Sequence, residues 1–277
     1  MPNVVLSSAV RSNVLQLQNT EKNQGIIQNR LATGLKVSTA LDDPRNFFQA
    51  QGLNFRANDL GRLLDGMGLG IKTIEAADKG ITGMTKVAEN MAAITKAAQD
   101  ATTAAERTTL LDQFNELRAQ LINLAEDSNF NGLNLLGGDD LTVTFNEDAS
   151  NEMDVDAVDW TAGGANEAID IAAGADWTAD AAGDTNIGNA ATAVNAAIST
   201  LRTQAASFGT SLTTIKIRED FTNQMVNTLK GGADGLTLAD QNEEAANLLA
   251  LNTRQQLSQQ ALSLATQSEQ SILRLLG

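Results

Sequence analysis

The stretch IGNAATAVNAAISTLRTQAASFGTSLTTIKIREDFTNQMVNTL, residues 187–229, decides the architecture of this chain. Its apolar residues fall at Ile187, Ala191, Val194, Ile198, Leu201, Ala205, Phe208, Leu212 and Ile215, and the same alternating step of four and three continues through Glu219, Thr222, Val226 and Leu229. A period of about 3.5 residues describes a helix that supercoils against partner helices rather than one lying on a globular core. At 1.5 Å of rise per residue such a helix is roughly 65 Å long, so its partners must be long too.

Working outward, two upstream segments supply those partners. Thr103 followed by Glu106 is a capping box, and it opens a helix with its seam at Leu110, Phe114, Leu117, Leu121 and Leu124, ended by Asn131-Gly132. Before it, Asp43 is a good N-cap and Pro44 suits the first helical position. The helix starting there has a seam from Leu60, Leu64, Met67, Ile71 and Ile74 to Met91 and Ile94. Its glycines at 61, 66, 68, 70, 80 and 83 each cost about 1 kcal/mol relative to Ala in a helix interior. Either they let neighbouring backbones approach closely, or some mark a break near residues 66–70. The candidate rod-seam residues are Leu110, Phe114, Leu117, Leu121, Val194, Ile198, Leu201, Phe208, Leu212 and Ile215.

After Gly137-Gly138, the alternation of Leu141, Val143 and Phe145 reads as a strand, with Met153, Val155 and Ala157 as its hairpin partner packed on the rod. Residues 159–186 are rich in Ala, Gly, Asp and Thr; they read as a small, loosely structured insertion anchored by Trp160 and Trp177. Between residues 119 and 200 there is no Lys or Arg while Asp and Glu recur, the pattern of a solvated acidic face. The runs Asp139-Asp140 and 154–159 lack the glycine placement and final Glu of a calcium loop, and read as surface charge.

Both ends carry further helices. The first, residues 3–36, places Leu6, Val10, Val14 and Leu17, then polar Glu21, Gln24 and Gln28, then Leu31 and Leu35 on one register. The last, about residues 238–276, follows a break expected at Gly231, Gly232 and Gly235, and aligns Leu257, Ala261, Leu264, Ser268, Ile272 and Leu275. Leu262, Leu273 and Leu276 lie off that stripe, so this helix needs more than one partner. The candidate subunit-packing residues are Leu6, Val10, Val14, Leu17, Leu31, Leu35, Leu257, Ala261, Leu264, Ile272 and Leu275. A two-helix pair has a poor ratio of core to surface. The ends are therefore expected to pair with each other, to be largely disordered in the monomer and to order among identical copies around an axis. Repetition by a rotation that does not close gives a helical filament.

Composition agrees. Of 277 residues, aromatics are 4% and Tyr, His and Cys are absent, which removes the usual general base, the commonest metal ligands and any disulfide. No cofactor, metal or catalytic site is expected. A net charge of −15 argues against nucleic acid and anionic membranes as partners. No apolar run is long enough to span a bilayer, and residues 1–20 lack the pattern of a cleaved signal peptide. The predicted fold class is thus mainly α, a long coiled-coil-like helical rod with paired N- and C-terminal helices, a small β-hairpin and a short outer insertion. The expected division is 1–43 with 236–277 as an inner terminal domain, 44–158 with 187–235 as the rod, and 159–186 as the outer segment.

Three motifs resemble one family. The run Asn29-Arg-Leu-Ala-Thr-Gly-Leu-Lys-Val-Ser-Thr-Ala-Leu-Asp-Asp43 is similar to the N-terminal signature of bacterial flagellins. Phe130-Asn-Gly-Leu-Asn-Leu-Leu136 resembles their helix-to-hairpin corner, and Gln255-Gln-Leu-Ser-Gln-Gln-Ala-Leu onward to Leu276 their tail. The resemblance implies a secreted subunit of the extracellular flagellar filament, exported unfolded by the flagellar type III apparatus. It further implies inner-tube packing of the ends, assembly with itself, with or without sibling flagellins, a secretion chaperone on the C-terminal helix, and contacts with a filament cap and hook junction proteins. Residues 84–91 align with the segment an animal innate receptor reads in the family, but Lys86, Ala88 and Asn90 stand where that segment has Arg, Arg and Leu. The zinc peptidase carried by some relatives is excluded by the lack of His. Two competing readings are a hook-filament junction protein and a secreted monomeric ligand or adhesin.

Overall fold

The computed structural model describes residues 8–161, 171 and 173–276. Its elements are helices α1 (Ser8–Thr33), α2 (Pro44–Asp100) and α3 (Ala104–Glu126), strands β1 (Leu141–Thr144) and β2 (Glu152–Val155), and helices α4 (Ala181–Thr237) and α5 (Gln241–Leu276). The chain divides into two compact units, one of residues 56–227 and one that joins residues up to 55 with those from 228 onward. Among the described residues the fold is mainly α with one antiparallel two-stranded sheet.

In the central unit, one continuous apolar cluster runs through all three helices. Phe114, Leu121, Val194, Ile198, Leu201, Phe208 and Ile215 lie buried in it with Met67, Ile74, Ile81, Met84 and Met91 of α2, and Leu110, Leu117 and Leu212 pack at its edge. The break at residues 66–70, one of the two readings of these glycines, is absent, since α2 is a single helix. Close approach explains only two of its glycines. A Cβ on Gly70 would meet Val143 Cγ2 at 2.8 Å, and one on Gly80 would overlap Ser128 and reach Leu136 Cδ1 at 2.9 Å. The hairpin and the corner after α3, rather than another helix, come up against α2 there.

Thr103 caps α3 as expected, its hydroxyl accepting from Glu106 N–H at 3.3 Å and donating to the Glu106 carboxylate at 2.9 Å. The helix ends at Glu126, earlier than Asn131-Gly132 suggested. Asn134 accounts for the difference: its Nδ2 donates to Ala125 O at 2.9 Å, satisfying an orphan carbonyl of the last turn. Asn131 and Gly132, at φ 53° and 84°, instead form the left-handed turn between Phe130 and Leu133. The turn delivers Leu135 and Leu136, both fully buried, into the core.

The hairpin pairs Leu141 with Val155 and Val143 with Met153. Arg218 lies over the Phe145 ring at 5.2 Å, and Arg56 Nε donates to Glu147 at 2.8 Å, so the hairpin is held by both long helices. Its aspartates act as hydrogen-bond acceptors: Asp139 from Asn134 N–H, Asp140 from Ala157 N–H and Asp154 from the Thr142 hydroxyl.

Trp160 and Trp177 are buried, the latter 5.2 Å from the Phe114 ring. Residues 162–170 and 172 of the expected insertion lie outside the described residues. What is described is strapped onto α3 rather than loose: Asn115 accepts from Gly174 N–H at 2.9 Å, Arg118 donates to Ile171 O, and buried Arg107 donates to Ala101 O and Thr178 O while pairing with Asp184 at 2.8 Å. Helix α4 begins at Ala181, before Ile187, because Asp180 accepts from Ala182 and Gly183 N–H and caps it.

Candidate assembly surface

The second unit holds both ends of the chain. Its connection is built from the signature run. Gly34, at φ 72°, closes α1, and its carbonyl accepts from Ala239 N–H at 2.9 Å; Lys36 and Val37 N–H both reach Thr237 O. Leu35 bridges Leu238 in antiparallel fashion. Asp42 then gathers the turn, accepting from the backbone N–H and hydroxyl of both Ser38 and Thr39. These donors, the Thr39 amide foremost, hold its carboxyl below the ordinary value. Asp43 caps α2 through Asn46 N–H at 3.1 Å, with Pro44 in the first helical position.

The break expected at Gly231, Gly232 and Gly235 does not occur. Helix α4 continues to Thr237, with Ala233 and Leu229 buried, and burial outweighs the glycine propensity. The chain turns at residues 238–240, where Asp240 caps α5 by accepting from Asn242 and Glu243 N–H.

Helices α1 and α5 pack antiparallel. Arg30 pairs with Glu244 at 2.9 Å and Gln24 Nε2 donates to Asn252 at 2.5 Å, so rising positions on one helix meet falling positions on the other. The less exposed face of α1 carries Val10, Val14, Leu17, Thr20, Gln24, Ile27 and Leu31. Thr20 and Ile27 are therefore the inward positions; Glu21 and Gln28, expected there, are exposed, one residue out of phase. On α5, the less exposed positions are Glu244, Leu248, Leu251, Gln255, Ser258, Leu262 and Ala265, again at steps of four and three.

Among the described side chains of the two helices, only Val10, Thr20 and Glu244 are buried. Of the candidate packing residues, Val10, Val14, Leu17, Leu31 and Leu35 are buried or half-buried, while Leu257 and Leu264 are 61% and 67% exposed and Ala261 is exposed with them. Ile272 and Leu275 belong to α5, and Leu6 lies outside the described residues. Sequence reading missed Leu15, Ile26 and Leu249 on these helices and Leu41, Phe48 and Phe55 nearby, all exposed. Their signal was an apolar residue out of phase with the dominant stripe.

Elsewhere, Met84, Ala88 and Met91 are fully buried, while Lys86 and Asn90 are exposed. Among the described residues there is no acidic cluster that could hold a metal ion and no helix long and apolar enough to cross a membrane.

Comparison with known proteins points to one family. Residues 4–140 match the bacterial flagellin N-terminal helical region and residues 191–276 the bacterial flagellin C-terminal helical region. Flagellin FljM of Caulobacter vibrioides is 32% identical over 252 residues, 90% of this chain and 89% of its own length. A flagellin of Brucella melitensis is 29% identical over 280 residues, 99% of each chain. The crystal structure of Bacillus cereus flagellin covers 56% of this chain and 86% of its own, with TM-score 0.45 and 18% identity. The chain belongs to the bacterial flagellin family: it is a structural subunit, not an enzyme, and it polymerises with copies of itself into the extracellular flagellar filament.

Proposed function

We propose that α1 and α5 carry the contacts between filament subunits, with residues 1–43 and 236–277 forming the inner layer of the polymer, the helices and hairpin of 44–158 and 187–235 the next, and 159–186 the outermost. Val10, Val14, Leu17, Leu31 and Leu35 hold the pair together within a copy, joined by Leu6 at the start of the chain. Leu257, Ala261 and Leu264, continued by Ile272 and Leu275, meet neighbouring copies.

The observation that supports this reading is the thin interior of the pair beside the open leucines of α5. Apolar burial is worth roughly 25 cal/mol per Å², so a pair with so little of it opens readily in the monomer and is locked only when neighbours cover it. Before assembly the same stripe suits a secretion chaperone, whose groove would take an amphipathic helix. A filament cap and hook junction proteins meet the pair at the two ends of the polymer. Lys86 and Asn90 leave the innate receptor without the planar guanidinium and apolar anchor found in the family segment.

Leu264→Asp tests the reading. A carboxylate forced into a subunit contact is unpaired and desolvated, so this variant should yield no filaments by electron microscopy after a polymerisation trial. Its thermal unfolding as a monomer should match the parent, because Leu264 is exposed there. Normal filaments from the variant would refute the assignment.

A further inference from the structure

Asn131-Gly132 is the one Asn-Gly pair in the chain. In such a pair the glycine nitrogen has no Cβ beside it to hinder attack on the asparagine carboxamide. Here that nitrogen is also unoccupied: Phe130 and Leu133 exchange both backbone hydrogen bonds across the turn, at 2.9 and 3.0 Å, and Gly132 N–H between them has no partner among the described residues. Both residues of the pair are exposed, and a Cβ on Gly132 would meet nothing within 4 Å, so water reaches them freely. The two Asp-Gly pairs, at 65–66 and 234–235, lie inside α2 and α4, where the glycine nitrogen is committed to the helix ladder.

The conformation of the turn works against the reaction. Asn131, at φ 53°, occupies the left-handed well, where ψ is about 30–60°. Closing a ring onto the carboxamide needs the Gly132 nitrogen eclipsed with the Asn131 Cβ, about half a turn of ψ away from that well. While Phe130 and Leu133 stay paired, ψ cannot make that rotation.

We propose that Asn131 is a deamidation site gated by the corner: it reacts only when the turn between Phe130 and Leu133 opens, and one of its products makes the chain unfit for assembly. The step needs only water. The Gly132 nitrogen bonds to Cγ of Asn131, the Cγ–Nδ2 bond breaks, and ammonia leaves with the proton that the nitrogen has given up. Water then opens the resulting succinimide. Cleavage between nitrogen and Cγ gives aspartate; cleavage of the original peptide C–N bond gives isoaspartate, whose main chain runs through Cβ and Cγ and is one atom longer.

The corner accepts only the first of these. Asp-Gly suits the same left-handed turn as Asn-Gly. The longer main chain does not fit, because Asn134 Nδ2 donates to Ala125 O at 2.9 Å across the corner, and Leu135 and Leu136 are fully buried just beyond it. Leu136 has no slack, since its Cδ1 would stand 2.9 Å from a Cβ on Gly80. Isoaspartate therefore draws these leucines out of the core of the central unit. A subunit outside the cell cannot be resynthesised in place, so the mark accumulates with age.

To test this, the parent chain is incubated at neutral pH as monomer, as filament and in guanidinium chloride. Peptide mass spectrometry follows each asparagine, and a protein isoaspartyl methyltransferase scores isoaspartate. In denaturant Asn131 should react first among the asparagines; in monomer and filament it should react at least about tenfold more slowly. Gly80→Ala pushes on Leu136 and loosens the corner, so it should raise the rate in the folded monomer about tenfold and leave the rate in denaturant unchanged. Leu136→Val takes its place, with the same expectation, if Gly80→Ala does not fold. The pool aged in denaturant is then refolded and polymerised with fresh parent chain. Chains with isoaspartate at this position should stay in the supernatant, whereas Asn131→Asp, which carries the charge without the longer main chain, should pellet like the parent. Equal rates in folded and denatured chains, a faster asparagine elsewhere in denaturant, a folded rate that the loosened corner leaves unchanged, or isoaspartate chains that pellet with the parent would each overturn the proposal.

Discussion

Asn134 shows how much a single side chain decides here. Its carboxamide finishes α3, its oxygen accepts from Leu136 N–H, and its own N–H is held by Asp139. The sequence marks the corner through Asn131-Gly132, but the stop itself comes from a residue that sequence reading passes over, because capping from beyond the helix leaves no periodic trace. Arg107, Asn115 and Arg118 were illegible for a related reason: their partners lie some fifty to seventy positions away, in a segment without pattern. Gly80 is a sharper case. Replacing it with Ala forces Ser128 and Leu136 to move, and overpacking of this kind costs about 1–3 kcal/mol; urea unfolding should show a lower midpoint with an unchanged slope. Asp42 and Asp180 both have carboxyls held below their ordinary value of 3.8, chiefly by backbone N–H donors of Thr39 and Gly183 respectively. A depressed folded value means that their contribution is complete above 3.8 and is lost as pH falls through the folded value. An Asp42→Asn, Asp180→Asn variant should therefore unfold in acid with a shallower dependence on pH than the parent, as followed by circular dichroism.

At the level of elements, heptad spacing was the most legible feature. The seam read from residues 187–215 is the inward face of α4, buried at Ile187, Val194, Ile198, Leu201, Phe208 and Ile215 and half-buried at Ala191, Ala205 and Leu212. The break expected at the end of α4 and the break that was one of two readings of the α2 glycines are both absent, because a propensity cost of about 1 kcal/mol per residue is small against the burial of a continuous face. Gly231 and Gly235 are helical, with nothing within 4 Å of an added Cβ. Gly231→Ala and Gly235→Ala should each stabilise the monomer by about 0.4–1 kcal/mol through the unfolded chain, visible as a raised melting temperature. The α1 register slipped by one residue in its polar middle, where Thr20 and Ile27 compete with Glu21 and Gln28 and apolarity no longer votes. On α5 the strongest apolar stripe proved to be the uncovered one, since the seam facing α1 includes Glu244, Gln255 and Ser258. A pair held by such polar positions should exchange its α1 amides quickly in the monomer and slowly in the filament, and hydrogen-exchange mass spectrometry of residues 8–33 in both states measures the difference.

For the molecule as a whole, the distribution of charge matters more than its sum. Residues 119–200 carry fifteen acidic side chains and no basic one, and the nineteen acidic residues elsewhere balance the nineteen Lys and Arg. Polymerising such chains crowds like charges that are screened over about 8 Å at physiological ionic strength. Salt should thus lower the concentration needed for assembly. Replacing exposed Glu126, Asp127, Glu152, Asp156 and Asp176 with their amides should flatten that dependence in sedimentation assays. With neither His nor Cys to titrate, assembly should also vary little between about pH 6 and 8. The antiparallel pairing of α1 with α5 carries one more consequence. Within one copy α1 finds its cover in α5, so a chain cut short before Gln241 leaves the inward face of α1 with nothing of its own to lie on. Translation fragments would be rejected at the growing tip without any dedicated inspector, and completeness of synthesis becomes the condition of entry.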